Sequence, residues 1–478
     1  MSVAKKAGKA SFLLILKKGW GGLLSLFVMA YLARVLDGTD FGIVVISATL
    51  INFIQVFAVS GISEYVIYYN EDDKDDVINT SFWLNLALTI GVIIVGVISA
   101  PFYAKYYGND AIETIVYLLL IGFFFNMLSS IPIALYRKRI DYKEMVFVQM
   151  FFGTLSQVSQ VVLAYLGFEV FSLAIPTAVV IPMLSVTLFY KSKFKPTLNF
   201  NFNHAKKIFA YTKYIISTRV IGMLVNNGDN LLIAKILSLK ALGVYDIAFR
   251  FANLFVSHFN PIITDISLPI LAKSNKNKEA LIERFKKMID IVSVINIPII
   301  IGMILFAEPL ILTIYGEKWD VAVLPFQILS IFVLFRSIGS PASSLYSAVG
   351  KPKIGFYFTL IYIVPFFLTI YFSSKYGLIG FCIGIAIIRS LGSITHLIIS
   401  SRLLKKSIFF IVKIPVLTIS CSLFSVLIIS NVDMQIFIQV ILFILIIFLL
   451  MLVVLRSYFN PIIMSFKSLV SIKTSKNV

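Results

Sequence analysis

The chain has 478 residues, 59% of them hydrophobic and only 14% charged, and a mean hydropathy of +0.95. A water-soluble globular domain carries about a quarter charged residues, so this balance excludes one. The formal net charge of +19 would suit nucleic acid, but the placement of the basic residues accounts for it without such a partner. Cys382 and Cys421 lie inside apolar runs and the three histidines stand apart, so neither a disulfide framework nor a metal site is expected.

Apolar runs of about 20 residues, long enough to cross roughly 30 Å of hydrocarbon, recur along the chain. They predict fourteen helices, at 11–36, 41–69, 79–107, 111–136, 145–166, 169–190, 206–237, 241–271, 284–306, 321–349, 354–375, 377–401, 411–430 and 435–456. The first run has no small-residue cleavage signal and is expected to be retained as a helix. Pro132, Pro176, Pro182, Pro261, Pro298 and Pro365 mark spans where a kink or local break is expected. The fold class is therefore an all-α polytopic membrane protein of about 14 transmembrane helices. A barrel would show short alternating segments instead.

Alternate loops differ in Lys and Arg content. One side collects Lys5, Lys6 and Lys9, the 137–143 and 191–207 clusters, the 273–287 cluster, Lys351, Lys353, Arg402, Lys405, Lys406 and the basic tail. The other has little beyond Arg34, Lys105, Lys235, Lys240, Lys318 and Lys375. This bias places both termini in the cytoplasm. The acidic run Glu71-Asp72-Asp73-Lys74-Asp75-Asp76 falls on the same inner side and reads as a solvated loop. No loop exceeds about 20 residues and no Walker motif occurs, which argues against ATP-driven transport and against an enzyme.

Shifting the chain by 201 residues lays Ala33-Arg34-Val35-Leu36 over Ala234-Lys235-Ile236-Leu237 and Phe41-Gly42-Ile43 over Leu242-Gly243-Val244. Tyr107-Gly108 then meets Tyr315-Gly316 at 208, and Leu135-Tyr136 meets Leu345-Tyr346 at 210. Gly167-Phe168 meets Gly377-Leu378, also at 210. A slowly drifting offset is the mark of duplication followed by small insertions. Six helices separate the copies, so the repeats are parallel. The expected divisions are an N-lobe at 1–200 (helices 1–6), a C-lobe at 201–405 (helices 7–12), and appended helices 13–14 with a basic cytoplasmic tail at 406–478. Two such lobes are expected to enclose a central cleft.

The block Gly228-Asp229-Asn230-Leu231-Leu232-Ile233, then Lys235, Ala241-Leu242-Gly243-Val244-Tyr245 and Arg250, resembles that of bacterial polysaccharide flippases. These are the O-antigen, capsule and exopolysaccharide translocases of the multidrug/oligosaccharidyl-lipid/polysaccharide exporter superfamily. Gly19-Trp20-Gly21 and Asp40-Phe41-Gly42 are similar to that family's first hairpin. Lys235 departs from the pattern, where many members carry Gly. The resemblance covers roughly residues 1–405. It implies a MATE-like pair of six-helix repeats in the bacterial cytoplasmic membrane. It also implies a flippase moving a lipid-linked oligosaccharide of the undecaprenyl-pyrophosphate type by alternating access, beside polysaccharide assembly proteins. No cofactor is implied; H+ or Na+ is the candidate coupling ion. A multidrug/cation antiporter of the same fold, a lipid-II-type flippase and a membrane polysaccharide polymerase are the alternatives.

Candidate site residues follow from charge inside apolar spans, since a central charge costs roughly 2.5–3.5 kcal/mol even on lenient insertion scales. Arg219, Arg336 and Arg389 fall near the middle of helices 7, 10 and 12, and with Lys17 of helix 1 they are the expected cationic wall for an anionic headgroup. Snorkelling to the inner surface is the alternative for Lys17 and for Lys213. Asp229 and Arg250 lie equally far from the turn near Leu239, each roughly 15 Å from it, and are expected to meet as a gating or structural ion pair that Asp246 shares. Asn52, Asn226 and Asn253 are expected to line the cleft. Gln149, Gln157 and Gln160 are further amides able to bind sugars or to bridge helices.

Overall fold

The computed structural model describes residues 3–59, 61–69, 74–275, 277–430 and 435–454. Within these, the basic tail is covered only to 454, the acidic run only from Lys74, and the side chains of Lys5, Lys6, Lys9 and Lys213 lie outside the description. The described chain is almost wholly helical and contains no strand. That is what a bilayer demands, because a helix satisfies its own backbone hydrogen bonds where no water can. Among the described residues, eleven helices are long and apolar enough to cross a membrane.

The first half of the chain folds into α1 (Val3–Val35), α2 (Gly38–Val59), α3 (Ile62–Tyr68), α4 (Lys74–Tyr107), α5 (Ala111–Leu128), α6 (Ser130–Lys138), α7 (Tyr142–Tyr165) and α8 (Phe171–Ser192). Two long helices follow, α9 (Phe202–Ile236) and α10 (Leu239–Ser274), which hold the charged hairpin. Then come α11 (Lys278–Leu305), α12 (Ala307–Tyr315), a short 3-10 turn at Glu317–Ala322, α13 (Val323–Gly339), α14 (Ala342–Ala348), α15 (Lys353–Ser374), α16 (Gly377–Leu404), α17 (Ile408–Ser430) and α18 (Ile436–Val454).

Three expected single spans are broken. The 41–69 span divides at Gly61, whose φ of 93° ends α2 and starts α3. The 111–136 span divides at Ser129, three residues before Pro132, and the 321–349 span divides at Pro341. Pro132 sits in the first turn of α6 and Pro341 is the N-cap of α14, places where a missing N–H has no intrahelical role. Pro176, Pro182, Pro261, Pro298 and Pro365 lie inside α8, α10, α11 and α15, which continue through them.

The turns repeat with the sequence. Left-handed residues occur at Gly108 and Gly316 (208 apart), Ile140 and Gly350 (210), Gly167 and Gly377 (210), and Lys193 and Lys405 (212). Positive φ is costly for Ile140 and Lys193, so its recurrence at the same place in both halves reflects a shared backbone plan.

The chain forms two compact units. The first comprises Met1–Arg250, Ile311–Pro325 and Phe356–Ile385. In it α8 packs on α5 and α7, α7 on α1, α5 on α2 and α4, and α9 on α2 and α4. Close approach needs small residues: a Cβ on Gly122 would stand 2.8 Å from the Thr177 carbonyl oxygen, so α5 and α8 touch backbone to backbone there. The second unit comprises Phe251–Leu310, Phe326–Gly355 and Ala386–Val478, with α17 packed on α11 and α18.

Candidate functional site

Within the first unit, α1, α2, α7, α8 and the start of α10 enclose a cavity of about 460 Å³. Its wall is mostly apolar (Val28, Met29, Leu32, Phe41, Phe152, Val180), as expected of helices in hydrocarbon. Its polar groups come from three places: Ser25 on α1; Ser156, Gln157 and Gln160 on α7; and Asp246 with Arg250 on α10. The α7 residues recur at helical spacing, and Gly153 just ahead of them leaves the wall open, with nothing within 4 Å of a Cβ there. The buried Gln157 Oε1 accepts no hydrogen bond among the described residues. An amide oxygen kept from water without a partner costs about 1–3 kcal/mol, which a ligand hydroxyl would recover.

The same face of α7 carries Gln149 about two turns nearer its start, and there Lys17 Nζ donates to Gln149 Oε1 at 2.7 Å. Lys17 is half-buried and bonded across the α1–α7 interface. Trp20 Nε1 donates to Thr154 Oγ1 at 2.9 Å and fastens the same two helices.

Arg250 Nε donates to Asp246 Oδ2 at 2.5 Å, and its side chain remains 59% exposed against 13% for Asp246. The acid four residues ahead of the base on one helix is the favourable order. The expected pairing of Arg250 with Asp229 is therefore corrected. Asp229 is buried and accepts from the Tyr245 hydroxyl at 2.7 Å. Equal distance from the turn fixes depth but not azimuth, and Asp229 faces the inside of its own hairpin. Tyr315 lies near enough to Asp246 and Arg250 for its phenol to feel both charges.

The remaining candidates are placed as follows. Arg219 is exposed and donates to Glu64 at 2.8 Å, a pair with both side chains more than 40% accessible. Asn52 accepts from Gln55 on its own helix at 2.9 Å. Asn226 is exposed. In the second unit, Asn253 is half-buried and its Oδ1 has no hydrogen-bond partner among the described residues. Arg336 on α13 and Arg389 on α16 meet at one aromatic ring: their guanidinium carbons lie 6.0 and 5.3 Å from the centroid of Phe332. Arg389 is buried and Arg336 exposed. Each is close enough for a cation–π contact with that ring. Asp290 pairs with Lys286 at 2.7 Å.

The sequence profile described as polysaccharide biosynthesis protein matches residues 31–324. The chain belongs to that family. Among polysaccharide biosynthesis relatives, the teichuronic acid biosynthesis protein TuaB of Bacillus subtilis is 25% identical over 295 residues, 60% of each chain. The match thus spans less than two thirds of TuaB's own length. The lipopolysaccharide biosynthesis protein WzxC of Escherichia coli is 25% identical over 381 residues, 78% of this chain and 76% of WzxC. The solved structure of the lipid II flippase MurJ in an inward closed conformation superposes with a TM-score of 0.76 at 14% identity, covering 93% of this chain and 99% of that one. That likeness establishes a common fold, a multi-pass bundle of membrane-spanning helices.

Proposed function

We propose that this polysaccharide biosynthesis family member is a flippase carrying a lipid-linked oligosaccharide across the cytoplasmic membrane by alternating access, with both termini in the cytoplasm. The observation that carries the reading is the cavity of the first unit. It sits among membrane-spanning helices, yet presents amides and hydroxyls plus an internally neutralised Asp246–Arg250 pair. Such a wall hydrogen-bonds uncharged sugar hydroxyls and lowers the desolvation cost that blocks spontaneous flipping. An apolar cation or drug would leave those groups unpaired.

A pyrophosphate of the undecaprenyl type is the anion this reading assigns to the second unit's own Arg336 and Arg389, whose planar donor forks stay ionised and suit phosphate oxygens. The isoprenoid tail stays in lipid. Asp246 is the carboxylate placed to couple movement to H+ or Na+, because its release of Arg250 on protonation changes the cavity's charge. The names of TuaB and WzxC as surface-polymer biosynthesis proteins support the substrate class.

The test is depletion of the protein in cells that make a surface polysaccharide. Lipid-linked glycan should accumulate in a form that impermeant periodate and hydrazide label in inside-out but not right-side-out vesicles. Labelling equal from both faces would overturn the proposal. Loss of tolerance to cationic dyes with normal glycan would instead support an antiporter.

A further inference from the structure

Two contacts hold the turn between α1 and α2, and they differ in kind. On one side the turn is bound to the segment around the end of α12. Arg34 donates to the carbonyls of Thr313 (2.6 Å) and Ile314 (3.4 Å). In return Lys318 Nζ donates to the carbonyls of Arg34 (2.9 Å) and Leu36 (2.7 Å), and Trp319 Nε1 to that of Ala33 (2.7 Å). Phe41 packs edge-on against the Trp319 ring, 5.7 Å between centroids. Several charge-assisted bonds run in both directions, so this side is a clamp.

On the other side the α1–α2 turn meets the α9–α10 turn through bare backbone. A Cβ on Gly42 would stand 1.9 Å from the Leu239 carbonyl oxygen, and one on Gly243 would stand 1.8 Å from that of Gly38. Oxygens in that direction face the Cα hydrogens at the separation of Cα–H···O contacts, roughly 3.3–3.6 Å. No conventional hydrogen bond crosses this seam among the described residues. The seam is also reciprocal under the 201-residue repeat: Gly38 corresponds to Leu239 and Gly42 to Gly243, so each copy's glycine receives the other copy's carbonyl.

We propose that the glycine seam is the outer gate of the transporter, and that opening parts Gly42 from Leu239 and Gly243 from Gly38 while the clamp stays whole. A joint of complementary shape and no hydrogen bonds can separate without leaving an orphaned polar group. The clamp is harder to part, because doing so breaks five hydrogen bonds and strips the buried Trp319 indole N–H and Ala33 carbonyl of their partners. The α1–α2 turn and residues 313–319 therefore travel together, and the α9–α10 turn moves past them. The inference takes its inside–outside orientation from the flippase reading.

The experiment uses a chain with Cys382→Ala and Cys421→Ala and a reporter cysteine, Met29→Cys, in the cavity wall. Intact cells are treated with a membrane-impermeant maleimide. Gly42→Ala and Gly243→Ala each force the seam apart and are expected to raise reporter labelling at least fivefold, whereas Trp319→Phe, which loosens the clamp, leaves it within twofold. A second arm does not depend on those variants folding. Gly38→Cys with Lys240→Cys is placed for a disulfide, since a Cβ at Gly38 lies 3.2 Å from Lys240 Cγ. Oxidation is expected to stop glycan export and reductant to restore it. A short bismaleimide across Arg34→Cys and Thr313→Cys is expected to leave export intact. Unchanged labelling in both glycine variants, or full export with the seam disulfide formed, overturns the proposal. If depletion of the protein leaves glycan sidedness unchanged while the labelling response persists, the flippase reading fails and the gate stands.

Discussion

Arginine is used in two ways in this molecule. In the first unit Arg250 opens onto the cavity but is neutralised by Asp246 on its own helix, so the wall gains a strong dipole at no net charge. In the second unit Arg336 and Arg389 both approach the ring of Phe332, so two like charges stand close together. Placing charge within membrane helices is costly in either case. The difference lies in what completes each arrangement: the first suits neutral hydroxyls, while the second suits an incoming anion.

The largest expected effect comes from removing the buried member of the cationic pair. Arg389→Ala should lower surface polysaccharide at least about tenfold, equivalent to about 1.4 kcal/mol of lost binding, with Arg389→Lys retaining part of it. Immunoblotting of membranes separates this from loss of protein; normal polysaccharide in the Ala variant would break the contrast. Next is Asp246→Asn, which turns Arg250 into an uncompensated cation. Glycan export should fall several-fold, and the swapped pair Asp246→Arg with Arg250→Asp should recover some of it. Additive losses in that double variant would show that the two side chains do not act as a pair.

Tyr245→Phe deletes the hydroxyl that donates to buried Asp229 and should destabilise the detergent-solubilised protein by about 1–3 kcal/mol, read as a lower melting temperature. Gln157→Leu removes the unpartnered amide from the cavity. Export should drop about two- to threefold, under 1 kcal/mol, with stability unchanged or raised. The smallest effect is Arg219→Ala. Its pair with Glu64 is exposed, and exposed pairs are worth about 0–1 kcal/mol, so polysaccharide within twofold of normal is expected. A null phenotype there would move Arg219 into the functional site.

Most of the architecture was readable because hydropathy alone reports where a helix must lie in a bilayer. The duplication was readable as well, since Gly108/Gly316 and Gly167/Gly377 mark turns that need a left-handed residue. The breaks at Gly61, Ser129 and Pro341 were missed, because apolar composition runs on unbroken through a change of helix axis. The partner of Arg250 was missed because counting residues from a turn gives height along a helix and not the face. Arg219 looked central for the same reason, although Glu64 on the short α3 awaits it at an exposed position. Gln157 and Gln160 were noticed as amides, but only packing shows that they share the cavity wall with Ser25 from a helix some 130 residues earlier.

The clamp on the first turn has a consequence for biogenesis. A helix leaves its last four carbonyls without intrahelical donors, and two of those of α1, Ala33 and Arg34, are satisfied by Trp319 and Lys318. The ribosome must therefore make two thirds of the chain before the first membrane helix acquires its terminal cap. Until then the opening hairpin sits in the bilayer unfinished, available to translocation machinery or to quality-control proteases, and truncations ending before residue 319 should be cleared faster than those ending just beyond it.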